Sequence, residues 1–312
     1  MDAFARELAP GLWVLGDPYT NVYLARGSRG SALVEAGISA GVDAVLQQLA
    51  GLGAEPGAIV VPHPHADHVT GLPGLRQRFP AAEVLAGRGA AQFLAHPRAA
   101  AAAVAEDRHL WDFYRRAGLS PGRPPLDAAP SLEGCRTVDD GEFLDLGGLT
   151  LRFLAVGGHA PGQLAVHLPE AGALAVSDAL GFRFPGRGFV PVYFTSLAEH
   201  LATLDRLEAL APRILCPAHL GPLLGEEARA AFREARASTH RLAARVRANR
   251  HRLEAFAEEL FQEVYTGEFR MYTEANIRNC VALLLRRSLE VSARVDGQAT
   301  EAACEDDRLD PR

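Results

Sequence analysis

The sequence predicts a mixed α/β protein in which sheet is covered by helices and a helical extension follows. Three observations carry this. Short β-like runs separated by turn residues dominate roughly the first 220 residues, and from Val42 onward they alternate with helical stretches. Beyond Gly225 the apolar residues recur instead at spacings of three, four and seven. The chain of 312 residues, 48% of them hydrophobic, is long enough for a large single core or for a core plus a smaller appendage.

The opening runs are "LWVLG" from Leu12, "NVYLA" from Asn21 and "SALVEAG" from Ser31. Turn residues such as "RGSRG" separate them, so they read as the first strands of an antiparallel sheet. A helix is expected over Val42 to Leu49, then the buried strand "AIVV", then the helix "GLRQRFP" and the strand "AEVLAG". Residues 89–119 are Ala-rich with Trp111, Phe113 and Tyr114 near their end, and read as helical. The Pro-rich "SPGRPPLDAAP" that follows is an irregular connection. Strands resume with "LTLRFLAVGG" and with "GQLAVHLPEAGALAVSD", where "PEAG" marks a hairpin turn, and after another helix comes "PRILCPAHLG". Leu242, Val246, Leu253, Phe256, Leu260 and Val264 form one apolar stripe on a helix or helix pair. A last helix is expected over residues 273–291 with Ile277, Val281, Leu284 and Leu285 on one face, and residues 296–312 read as a disordered acidic tail.

The formal net charge of −6 lacks the basic surplus of a nucleic-acid binder, and all 32 Lys+Arg residues are arginine. Any cationic side chain that contacts an anion is therefore an Arg. The four cysteines are scattered with no CxxC pair, which fits a reducing compartment. With no apolar targeting segment at the start and no long apolar run, a soluble cytoplasmic protein with no membrane partner is expected, as monomer or homodimer.

The chemistry concentrates at the ends of the apolar runs. After "AIVVP" come His63, His65, Asp67 and His68, packed in "HPHADH". His159 follows "LRFLAVGG", Asp178 follows "GALAVS", and His219 follows "PRILCPA". Ends of neighbouring strands lie close in space, so these side chains can converge on one edge of a sheet. Seven ligands would serve two divalent metal ions, each hydrolytic zinc taking three protein ligands and leaving a position for water. Zn suits the His/Asp set best, with Fe or Mn as alternatives. The remaining histidines, His96, His109, His167, His200, His240 and His251, read as ordinary polar residues.

The motifs "HPHADH", "GGHAPGQ", "AVSDAL" and "PAHLGP" resemble those of the metallo-β-lactamase superfamily, in its glyoxalase-II-like branch, over roughly residues 10–225. The resemblance implies a four-layer αββα sandwich over residues 1–225 as the catalytic domain, with residues 226–295 as a helical extension or lid. It assigns His63, His65 and His159 to one metal, Asp67, His68 and His219 to the second, and Asp178 as the bridge between them. It implies a metal-bound hydroxide as nucleophile, which Asp67 would also orient as a catalytic residue.

Within the branch, "LWVLGDP", "SALVEAGIS" and "SDALG" resemble the quorum-sensing-associated 2-aminobenzoylacetyl-CoA thioesterases, from which the chain departs at Phe182, where an acid stands in that group. The expected activity is hydrolysis of an acyl thioester of the CoA type. Alternatives are a mononuclear-iron persulfide dioxygenase, a lactonase or phosphodiesterase, and a regulatory partner protein with a vestigial site. Phe182, Phe184, Tyr193 and Phe194 are expected as an apolar substrate wall, with Arg183 and Arg187 as anion contacts. If the extension covers the site, Met271, Tyr272 and Asn276 also face the substrate.

Overall fold

In the computed structural model, which describes residues 4–184 and 187–305 and side chains through residue 290, two sheets face each other with helices on both outer surfaces. The first sheet runs in chain order through β1 (Arg6–Ala9), β2 (Leu12–Gly16), β3 (Asn21–Arg26), β4 (Ser31–Val34), β5 (Ala58–Val61), β6 (Glu83–Gly87) and β7 (Arg136–Val138). Its first four strands are antiparallel hairpin neighbours, and β4 to β7 are parallel. The helices α1 (Val42–Gly51), α2 (Ala66–Val69), α3 (Leu72–Arg78), α4 (Ala90–Ala95) and α5 (Pro97–Arg116) lie within its crossovers.

The second half of the chain contributes β8 (Phe143–Asp145), β9 (Thr150–Ala155), β10 (Leu164–Leu168) and β11 (Ala173–Ala175). A small separate hairpin, β12 (Phe182–Phe184) with β13 (Gly188–Val190), comes next, followed by helix α6 (Leu197–Glu208). Strands β14 (Ile214–Cys216) and β15 (Leu223–Leu224) complete the second sheet, whose order is β15-β14-β11-β10-β9-β8. The chain ends in α7 (Glu226–Ala248), α8 (Leu253–Val264) and α9 (Glu274–Glu305).

Strand parity explains the layers. Tyr23, Val34, Val60 and Leu85 of the first sheet meet Phe153, Val166, Ala175 and Cys216 of the second in the central core. Their alternate neighbours Val22, Leu24, Leu33, Ile59 and Val84 face outward against Val45, Leu49, Leu72 and Leu94 of the helices. On the other outer surface Ala165, Leu174 and Leu215 pack on Leu204 and Leu207 of α6 and on Phe232 and Ala235 of α7. This is the expected αββα sandwich. A fourth cluster lies at one end of it, where Leu242 and Val246 of α7, Phe256 and Leu260 of α8, and Ile277, Val281 and Leu284 of α9 meet Tyr114 of α5 and Phe182 of β12. Helix α7 therefore serves both as outer layer and as root of the extension.

Two helical expectations change. The helical stretch 89–119 is broken at His96, whose extended backbone (ψ 130) precedes Pro97. Proline disfavours the helical conformation in the residue before it and suits the first helical position itself. The backbone of α9 runs to Glu305, past the expected end near 291 and into the segment read as disordered. Ala, Gln and Glu, good helix formers, recur there. Residues 306–312 of that tail lie outside the described residues. Among the described residues no helix is long and apolar enough to cross a membrane.

Candidate metal centre

The centre lies where strand ends from both sheets meet. Strands β9, β11 and β14 run in the same direction, since β10 is antiparallel to both β9 and β11, and β11 is parallel to β14. Their C-terminal ends deliver His159, Asp178 and His219 to one edge, and the end of β5 faces them across the sandwich. Leu164 N donates to Pro62 O (2.8 Å) and Asn21 N to Ala218 O (2.7 Å), which ties the two sheets together at this edge.

Local sequence sets the direction of each side chain. Pro62 and Pro64 favour extended backbone in the residues before them, so His63 and His65, two apart, project to the same side. The short helix α2 then turns Asp67 and His68 into the same space. Before His159, Gly158 adopts φ +101, and a Cβ there would lie 2.5 Å from the Cα of His200. The "GGH" loop thus needs glycine to pack on α6.

The seven side chains form two groups, His63, His65 and His159 in one, and Asp67, His68, Asp178 and His219 in the other, with the candidate ligand atoms of each group within 4.8 Å of one another. Asp178 stands between them, its Oδ2 3.6 Å from His159 Nε2 and 3.3 Å from His68 Nε2, and its Oδ1 3.6 Å from His219 Nε2.

Hydrogen bonds behind the rings assign their protons. His159 Nδ1 donates to Val192 O (2.8 Å), His219 Nδ1 to Tyr19 O (2.7 Å) and His68 Nδ1 to Glu35 Oε2 (2.8 Å). Ser177 Oγ donates to Glu35 Oε1 (2.6 Å) and so accepts from His63 Nδ1 (3.3 Å). All four rings therefore turn Nε2 toward the centre, the nitrogen that could serve as a metal ligand.

These inward nitrogens lie close together, as ligands of a cation would. His159 Nε2 lies 3.1 Å from His63 Nε2 and 3.0 Å from His65 Nδ1, although His63 and His159 carry their protons on the far nitrogen. His68 Nε2 and His219 Nε2 are buried with no hydrogen-bond partner, despite lying 3.2 Å from Asp67 Oδ2. They are near that oxygen but aimed past it, as ligands of a shared ion would be.

Charge separates the groups. Burial lowers the pKa of His63 strongly, that of His65 to about 3, and that of His159, so all three are neutral donors of electron pairs. Burial would also lower His68 and His219, but Asp67 and Asp178 outweigh it and raise both. Burial would raise Asp67 and Asp178, yet the imidazoles, His68 foremost, hold Asp67 well below its usual range and Asp178 at about 2. A divalent ion can replace the protons of this second group.

A cavity of about 500 Å³ opens on the centre, with His65, Asp67, His159 and Asp178 in its wall. Phe182, Phe194, Tyr272 and Asn276, all expected as substrate contacts, line it. Phe182 stacks on His219 with ring centroids 4.4 Å apart. The other expected contacts point elsewhere. Arg183 faces Glu227 (3.4 Å), because it alternates with Phe182 and Phe184 on strand β12 and projects to the opposite side. Phe184 packs behind the wall on Phe269, and the Tyr193 hydroxyl pairs with Ser288 Oγ at 2.7 Å. Arg187 donates to Thr266 Oγ1 and Glu263 O, and Met271 is buried in the end cluster. The cavity also has members that sequence reasoning missed, notably Phe93, Arg98, Glu106 and Phe269. Glu35 and Ser177 were missed too, since neither an acid near the end of "SALVEAG" nor the serine before Asp178 carries a distinguishing pattern. A larger hollow of about 640 Å³ beside Tyr19 and Arg116 holds no residue of the centre in its wall.

Known proteins place this geometry. A hydroxyacylglutathione hydrolase of Ruegeria pomeroyi is 29% identical over 159 residues, which are 50% of this chain and 46% of that one. A second, from Erythrobacter litoralis, is 35% identical over 82 residues, 26% of this chain and 30% of that one. The chain thus matches less than half the length of these curated relatives. A metallo-beta-lactamase family protein from Thermus thermophilus superposes with a TM-score of 0.60 at 27% identity, over 90% of this chain and 94% of the other. A beta-lactamase domain protein from Burkholderia ambifaria shares the fold with a TM-score of 0.65 at 21% identity, over 94% and 90% of the two chains. The family model described as the metallo-beta-lactamase superfamily matches residues 15–219, more than half of the chain, and the protein belongs to that superfamily.

Proposed function

We propose that the protein is a dinuclear metal-dependent hydrolase that cleaves an acyl thioester of the CoA type. In this reading His63, His65 and His159 would hold one divalent metal, Asp67, His68 and His219 would hold the second, and Asp178, which stands between the two groups, would serve both. The observation that carries it is the continuity between centre and cavity. A substrate resting on Phe182, Phe194 and Phe269 has its reacting atoms beside His65, Asp67, His159 and Asp178.

When bound, the metals supply acidified water near neutral pH and polarisation of the carbonyl. The chain's own residues do the rest. Phe182, held by its stack on His219, and Phe194, 5.2 Å from the His159 ring, confine an apolar acyl group and exclude bulk water. Arg98, exposed at the cavity wall, is the arginine placed to meet an anionic portion of the substrate.

A thioester suits a centre of this kind because a thiol, with a reference pKa of about 8.5, leaves as thiolate without a protein acid. The lining carboxyl outside the centre, Glu106, is occupied by Thr273, whose N donates to it at 3.0 Å and whose hydroxyl donates to its other oxygen. The name of the curated relatives, hydroxyacylglutathione hydrolase, supports hydrolysis of an acylated small molecule. The likeness of "SDALG" and its neighbours to the 2-aminobenzoylacetyl-CoA thioesterases supports CoA as the carrier.

Thiol release from a panel of acyl-CoAs by metal-loaded protein tests this. Release that requires the metal and favours aryl or short acyl groups is expected. Absence of release from every member, with metals demonstrably bound, overturns the thioesterase reading. Oxygen uptake with glutathione persulfide would replace it.

A further inference from the structure

The segment 267–273, between α8 and α9, enters the centre from the C-terminal extension. Tyr272 is buried there, and its hydroxyl donates to Asp67 Oδ2 at 2.7 Å, a partner 205 positions away in sequence. A phenol meeting an ionised carboxylate can only donate to it, so the direction of this bond is settled. The same oxygen lies 3.2 Å from His68 Nε2 and 3.2 Å from His219 Nε2.

The strap is pinned along its length. His109 Nε2 of α5 donates to Arg270 O (3.1 Å), and Glu106 of α5 accepts from Thr273 N (3.0 Å) and from the Thr273 hydroxyl. Tyr265 OH donates to Tyr272 O (3.2 Å), and the Tyr272 ring meets Phe182 edge-on with centroids 5.8 Å apart. The phenol is thus held from both sides, and Asp67 is the polar side chain it reaches.

We infer that Tyr272 is a positioning residue for Asp67, so that the C-terminal extension helps to build the Asp67–His68–Asp178–His219 group and sets its affinity for metal. The phenol occupies one lone pair of Oδ2 and fixes the carboxylate's rotamer, which leaves the remaining lone pairs in a set direction toward the space that His68 Nε2 and His219 Nε2 also face. The inference rests on the two-metal reading above.

The test is a competition titration of metal-free full-length protein with Zn against a chromophoric chelator, which resolves the binding steps. Tyr272→Phe keeps the ring against Phe182 and Phe269 and removes only the donor. Tyr265→Phe removes the hydroxyl that holds Tyr272 O and leaves the phenol itself intact. Tyr272→Phe is expected to weaken one step by roughly 10–100-fold and leave the other unchanged. Tyr265→Phe is expected to weaken that step by a few-fold at most and leave the other unchanged. Thr273→Val, which loosens the strap from Glu106 without altering the phenol, is expected to weaken the same step to a smaller extent. Thermal melting of the metal-free variants reports any loss of packing separately.

Two unchanged steps in Tyr272→Phe, or equal weakening of both, overturn the inference whatever the melting temperature does. Should Tyr272→Phe fail to fold, unchanged steps in Thr273→Val overturn it. Wild-type protein that takes up fewer than two metals at excess Zn would instead overturn the two-metal reading.

Discussion

Glu35 and Ser177 hydrogen-bond across the two sheets at 2.6 Å, and both hold left-handed backbone, with φ of +80 and +47. Each sits just past a strand end, Glu35 after β4 and Ser177 after β11, and neither is glycine. Such conformations cost of the order of 1–3 kcal/mol each and persist where the surroundings over-determine them. Here the surroundings are His68 and His63, whose Nδ1 atoms lean on Glu35 and Ser177.

The Glu35 carboxylate accepts from two donors, one on each oxygen. Glu35→Gln keeps the shape but turns an NH2 toward one of them, leaving a buried donor unpaired at a cost of about 1–3 kcal/mol. Metal-free Glu35→Gln is therefore predicted to unfold at lower urea concentration than wild type, and its metal affinity to fall by roughly 10–100-fold. Ser177→Ala is predicted to show the smaller effect in both measurements.

The histidines and aspartates of the centre were legible because each follows a recognisable apolar run, and sheet geometry gathers such ends. Glu35 was not, since one acid at the end of "SALVEAG" looks like any strand terminus. Arg183 and Phe184 lie off the cavity wall for a related reason. A three-residue strand flanked by Gly and Pro gives no periodicity, so the alternation that turns Arg183 away from Phe182 could not be seen. The meeting of Tyr272 with Asp67 depends on how the extension packs on α5, which no local pattern encodes.

Gly158 sits where a Cβ would lie 2.5 Å from His200 and where φ is +101. Gly158→Ala is predicted to destabilise the fold by about 1–3 kcal/mol and to displace His159. Metal content should fall first at the His63–His65–His159 group, read by titration against the wild type.

Phe182 contributes one face of the cavity through its stack on His219, at an interplanar angle of 18°. Phe182→Leu preserves apolar volume but removes ring contacts worth about 0.5–1.5 kcal/mol. kcat/KM is predicted to drop up to about tenfold for aryl acyl thioesters and less for acetyl thioesters.

His200 is buried against Thr239, 3.1 Å away, and burial lowers its pKa from 6.5 to about 3. The folded protein keeps this ring neutral while the unfolded chain takes up a proton below 6.5. Its contribution to stability is complete above that pH and is lost as pH falls toward 3, at up to about 1.4 kcal/mol per unit. His200→Gln is predicted to flatten the acid limb of the stability profile of metal-free protein, by about 2–3 kcal/mol at pH 4.5 relative to the change seen in wild type. Parallel acid limbs would contradict this.

The measurement that bears most directly on the whole account is the metal content of protein purified without added metal or chelator. About two divalent metals per chain, lost on chelation and restored by Zn, Fe or Mn, is the predicted result. A chain that holds one iron only, or that takes up none of these metals at excess, would contradict it.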